Sequence, residues 1–149
     1  MEQRFEVFTV LITKIRRSIN KIKTEEMAEF NLKSPHVSYL YYLYQSGGSM
    51  TAKELCEASD EDKAAISRSI EFLETNGYIN CESKTEKRYK SPLFLSEKGK
   101  TVAGKIATKV DNIVNLASAN MTIQERDKFY KNLTVICNNL QKICDNYGE

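Results

Sequence analysis

The spacing of apolar positions divides this chain into helical stretches and one interruption. Phe5, Phe8, Ile12, Ile15, Ile19 and Ile22 recur at alternating intervals of three and four. That spacing predicts a long first helix with a narrow heptad seam, which ordinarily faces another helix. In "KSPHVSYLYYLYQSGG" Ser34 reads as an N-cap with Pro35 at the first helical position, Gly47-Gly48 as the stop, and Tyr39, Leu40, Leu43 and Tyr44 as the buried side. Thr51 and Glu54 form a capping box that opens a short third helix. A fourth follows after a brief turn, capped by Ser59, Asp60 or Asp62, with Ile66, Ile70 and Leu73 in one stripe and Asn76-Gly77 as its end.

From Tyr78 the period changes to that of strands. "YINCES" alternates, and "PLFLS" is short, apolar and headed by Pro92, which suits an edge or a strand start. The two predict a hairpin whose tip is "KTEKRYKS". Beyond it, Ser96 caps a long helix carrying Val102, Ile106, Val110, Ile113 and Leu116 or Ala117. A second capping box, Thr122 with Glu125, starts a last helix with the stripe Phe129, Leu133, Ile136, Leu140 and Ile143.

Composition narrows the picture. The 149 residues suit one domain, and 41% hydrophobic with 28% charged residues is the globular range. The net charge of +2 favours no partner by itself, but Lys84, Lys87, Arg88 and Lys90 concentrate positive charge in the hairpin tip. No apolar run is long enough to span a membrane and the N-terminus lacks signal-peptide character, so a cytoplasmic protein is expected. Cys56, Cys81, Cys137 and Cys144 have no metal-ligand spacing and only His36 to assist them. They are expected to be mostly buried packing residues, with no metal site and no cofactor. With one histidine, no Gly-rich phosphate loop and no nucleophile motif, no catalytic constellation is legible, and an enzyme is not expected.

The order short helix, turn, helix, basic hairpin is that of a winged helix-turn-helix. A major groove about 12 Å wide admits one helix, and small residues let that helix approach the base edges. On the fourth helix Ala64 and Arg68 point away from the apolar stripe, with Lys63 and Ser67 on a flank. Arg68 suits a guanine, Ser67 a base or phosphate, and Lys63 a phosphate, while Arg88 is the wing residue best suited to a minor groove. Glu61, Asp62 and Glu71 weigh against DNA, unless Asp62 serves as the helix cap. Apolar seams on both terminal helices suggest that two chains interlock, which would present two such helices to one duplex at half-sites about one helical turn apart.

At this point the chain resembles the MarR family of bacterial transcriptional regulators, most specifically in "TAKELCEASDEDKAAISRSIEFLETNGYI", the basic wing and "PLFLSEKGK". The resemblance spans essentially the whole chain. It implies a mainly α fold with a small β wing: a winged-helix core over residues 34–96, flanked by a helical dimerisation region over 1–30 and 97–147, all within one domain over 1–149. It further implies a homodimeric repressor on a palindromic operator in double-stranded DNA. Lys63, Ala64, Ser67 and Arg68 would occupy recognition-helix positions, and Arg88 in "EKR" would match the wing arginine. Glu86 stands where the family often has Asp, and the wing is a residue longer than its commonest form. Many members release DNA when a small molecule binds between the dimerisation region and the winged helix. Here that places an effector pocket near His36, Tyr39 and Tyr42. The alternative reading is a helical dimeric adaptor that uses the same fold for protein contacts without specific DNA binding.

Overall fold

The structure, a computed structural model, describes residues 2–59, 61–82 and 89–148, and the side chains of Glu2, Gln3 and Phe5 lie outside that description. It divides into two compact units, Met1–Val110 and Asp111–Glu149.

In the first unit α1 (Glu2–Glu26) precedes a 3-10 turn at Ala28–Phe30 and α2 (Ser34–Gln45). A short strand β1 (Ser49–Thr51) runs into α3 (Ala52–Ala58), and α4 (Lys63–Thr75) follows. Strands β2 (Ile79–Cys81) and β3 (Pro92–Leu95) lead into α5 (Glu97–Ala117). Both helix starts around the turn are fixed by side chains. Thr51 and Glu54 complete a reciprocal capping box on α3, and the Asp62 carboxylate accepts from the Ala65 amide at 2.7 Å. Asp62 is thus the cap of α4; Asp60 lies outside the described residues. At the other end Gly77 takes φ +76°, the left-handed conformation that glycine adopts without a Cβ penalty.

Three expectations need correction here. Ser34 is the first helical residue of α2 and not its cap; Lys33 stands at the cap position, because its carbonyl already accepts the Val37 amide at 3.2 Å. Tyr44 is 44% exposed and not buried, its ring lying beside Gly104 of α5 at the rim of the core. The two-stranded hairpin is part of a three-stranded antiparallel sheet in the order β1-β3-β2, with Ser49 opposite Phe94 and Ile79 opposite Leu95. β3 is therefore central, and Pro92 is accommodated as its first residue.

The core gathers Tyr39, Leu40 and Leu43 of α2, Leu55 of α3, Ile66 and Leu73 of α4, Ile79, Leu93 and Ile106, all essentially inaccessible. The start of α5 is locked onto the end of α4. Ser96 accepts from the Gly99 amide at 3.0 Å and donates to the Gly77 carbonyl at 2.5 Å, while Lys98 donates to the Asn76 carbonyl and lies over the Tyr78 ring. A Cβ on Gly99 would stand 1.9 Å from the Tyr78 carbonyl oxygen, so the close approach depends on glycine.

The second unit begins within α5 and contains α6 (Ile123–Asp145), opened by the reciprocal capping box of Thr122 and Glu125, and a final 3-10 turn at Asn146–Gly148. No residue of α6 is buried, and Leu116 near the end of α5 is 77% exposed. The cysteines also depart from expectation. Cys56 and Cys81 are half-buried, whereas Cys137 and Cys144 are exposed, because they belong to a helix with no buried residue. Among the described residues no helix is long and apolar enough to cross a membrane, and no cluster of potential metal ligands forms.

Candidate nucleic-acid interface

Helix α4 separates its two faces completely. Ile66, Ile70 and Leu73 are buried at 0–4% exposure, with Ser69 beside them. Lys63, Ala64, Ser67, Arg68 and Glu71 are exposed. The four candidate recognition residues thus share an accessible surface, on a helix held from behind by the core and at its start by Asp62. Two small side chains flanked by a lysine and an arginine make a surface that a base edge can approach closely and that carries net positive charge.

The acidic residues that weigh against DNA in the sequence are largely absorbed by structure. Asp62 caps the helix. The Glu61 carboxylate accepts a hydrogen bond from the Tyr39 hydroxyl, which draws it toward the core and away from the exposed face of α4. Burial, the Glu61 bond and the Glu61 charge together push the Tyr39 phenol well above its ordinary pKa, so it stays protonated and remains the donor. Glu71 alone of the three keeps an exposed position without such a role.

The wing residues fare unevenly. Lys84, Lys87 and Arg88 lie outside the described residues; Lys90 is described and exposed. Tyr89, beside it, is half-buried and was not singled out by sequence reasoning. Its ring lies under the Lys63 ammonium, 4.4 Å from centroid to Nζ. Burial first, and then the neighbouring Cys56, push its phenol above the ordinary pKa, and the Cys56 thiol donates to the Glu61 carbonyl at 3.4 Å. An aromatic residue embedded in a basic run, "KRYK", was the one available signal.

The three residues expected near an effector pocket are placed differently from one another. Tyr39 is 1% exposed and His36 is 6% exposed, both packed into the core, and Tyr42 is half-buried at its edge. The His36 imidazole stacks on Phe72 of α4, with centroids 4.2 Å apart and planes 6° from parallel. Its buried Nδ1 has no hydrogen-bond partner among the described residues. Burial first, and then the charge of Lys33, lower the His36 pKa from its ordinary value, with Glu61 opposing, so the ring is neutral near pH 7. An open recess of about 320 Å³ lies on α1, lined by Thr9, Val10, Thr13, Lys14 and Arg17.

No protein-family model matches the chain. It is 24% identical over 128 residues to the uncharacterized HTH-type transcriptional regulator YybA of Bacillus subtilis (strain 168), an alignment covering 86% of this chain and 85% of that protein. Among solved structures, a putative MarR family transcriptional regulator from Listeria monocytogenes complexed with 26mer DNA is 25% identical, with a TM-score of 0.75 over 87% of this chain and 85% of its own. The MarR family regulator NMB1585 from Neisseria meningitidis is 20% identical and superposes with a TM-score of 0.82 over 96% and 97% of the two chains. The resemblance read from the motifs therefore extends to the whole architecture: the chain has the winged-helix fold of the MarR family regulators.

Proposed function

We propose that this chain, folded as MarR family regulators are, is a sequence-specific DNA-binding transcriptional regulator that acts as a homodimeric repressor on a palindromic operator. The observation that carries the reading is the exposed face of α4. Lys63, Ala64, Ser67 and Arg68 stand over a fully buried apolar stripe, with the neighbouring carboxylates of Glu61 and Asp62 engaged elsewhere. Arg68 reads a guanine edge, Ser67 a base or a phosphate, and Lys63 the backbone. The basic wing segment from Lys84 to Lys90 contacts an adjacent groove, Arg88 entering it. The 26mer DNA bound to the Listeria monocytogenes protein supports DNA as the partner.

A homodimer is supported by the apolar residues that the single chain leaves in water. On α1 these are Ile12, Ile15, Ile19 and Ile22; on α6 they are Phe129, Ile136, Leu140 and Ile143. A heptad seam exposed along a helix is covered most economically by a second copy, and the two-fold symmetry of such a pair is mirrored in the operator. An effector acts on this assembly only through unequal affinity for its DNA-competent and DNA-incompetent conformations.

The test is selection of bound fragments from genomic DNA, followed by titration of the best fragment with wild type and Arg68→Ala. A two-fold symmetric site is expected, with Arg68→Ala costing about 1–3 kcal/mol and relaxing the base preference at one position of each half-site. Equal, weak binding to every fragment, indifferent to Arg68→Ala, would refute the operator reading and favour the adaptor.

A further inference from the structure

Lys63 occupies the first position of α4, where the helix dipole disfavours a positive charge. Among the described residues it forms no ion pair with a carboxylate. What holds its ammonium is the face of Tyr89, a residue at the base of the wing, 26 positions later in the chain. The ring covers one side of the ammonium, which has three N–H donors and so keeps capacity for a ligand. The junction of wing and recognition helix thus carries a cation that is seated on a ring and pairs with no carboxylate among the described residues.

We infer that Tyr89 is a positioning residue for DNA binding: its ring presents the Lys63 ammonium to a backbone phosphate that passes between α4 and the wing. The inference rests on the DNA reading proposed above and adds a residue that acts through another. A lysine tethered at one end of a flexible stem loses rotamer freedom when it fixes a phosphate. Holding it in place beforehand removes part of that cost from binding. Because the contact is to phosphate, its loss weakens binding to all sequences about equally and lowers the salt dependence, unlike the loss of Arg68.

The experiment titrates two duplexes, the best genomic fragment selected by wild type and a random-sequence duplex of the same length, over a series of salt concentrations. Wild type, Lys63→Met, Tyr89→Phe, Tyr89→Leu and the double variant Lys63→Met/Tyr89→Leu are compared. Lys63→Met is expected to reduce the slope of log affinity against log salt by about one on both duplexes. Tyr89→Leu is expected to weaken binding roughly 2–5-fold on both, Tyr89→Phe to retain wild-type affinity through its ring, and Tyr89→Leu to have no further effect once Lys63 is gone.

The inference is overturned by an equal Tyr89→Leu loss with and without Lys63, or by a Tyr89→Phe loss as large as that of Tyr89→Leu, which would move the effect from the ring to the hydroxyl. If Tyr89→Leu lowers the melting temperature, Lys63→Met decides, since Lys63 lies outside the core: an unchanged salt slope overturns the inference. Wild type that selects no fragment refutes the regulator reading itself and this inference with it. Selection that succeeds while the Tyr89 variants bind like wild type refutes the inference alone.

Discussion

Helices α4 and α6 carry the same kind of apolar stripe and meet opposite fates. In α4 the stripe residues Ile66, Ile70 and Leu73 are 0%, 4% and 0% exposed. In α6 Phe129, Ile136, Leu140 and Ile143 are 46%, 38%, 48% and 49% exposed. Periodicity specifies that a face will be buried but says nothing of what will bury it. For α4 the partners are α2, α3 and the sheet of the same chain. For α6 the single chain half-buries Leu133 and leaves the rest of the stripe exposed, and in the proposed function the second copy covers it. The contrast also sorts the chemistry. The free face of a helix anchored within its own chain suits a ligand, whereas a helix with an uncovered apolar face suits a copy of itself.

The comparison breaks most visibly at its buried end. Ile66→Ala is expected to lower stability by about 2–5 kcal/mol, by the same amount at every protein concentration. Ile136→Ala on α6 is expected to cost about 1 kcal/mol or less in dilute solution, and more as concentration rises and the dimer forms. Thermal melts over a range of concentrations, with sedimentation to follow the oligomeric state, measure both. Concentration-independent losses of equal size would mean that α6 is covered within its own chain.

The next effect tests how firmly the wing is seated on the core. Gly99→Ala forces a methyl group against the Tyr78 carbonyl, which also accepts the Ser96 amide, so neither backbone can yield without loosening the join of α5 to the wing. Denaturant titration should show a loss of about 1–3 kcal/mol. A neutral outcome would show that the join between α5 and the turn is less tight than its geometry.

The smallest effect lies where the buried core includes a titratable group. The lowered pKa of His36 means that the unfolded chain binds a proton more readily than the folded one. Its contribution to stability is therefore complete above the unfolded value of 6.5 and declines as the pH falls from there through the lowered folded value. The melting temperature of wild type should drop between about pH 7 and pH 5, and more steeply than that of His36→Phe, which keeps an aromatic ring against Phe72. Parallel curves for the two proteins would remove His36 from the account.

Much of this molecule was legible in order along the chain. The capping boxes at Thr51 and Thr122, the glycine stop at Gly77 and the stripe of α4 are local codes, written within a few residues and satisfied there. The exposed face of α4 was legible for the same reason, since a helix and a buried stripe together decide which residues remain outside.

Tertiary structure alone decided what joins distant residues. β1 has three residues, too few for a period, and exists because β3 pairs with it across more than 40 positions. Tyr39 reaches Glu61, His36 stacks on Phe72, and Tyr89 lies under Lys63. None of these pairs is adjacent in sequence, and each requires the folded backbone to set two side chains at hydrogen-bonding or stacking distance. The sequence by itself determined which elements form and which faces they bury. Which carboxylates are turned away from the exposed face of α4, and which ring steadies its first lysine, depended on the packing of α2, α3, α4 and the wing, because such contacts are set by separation in space.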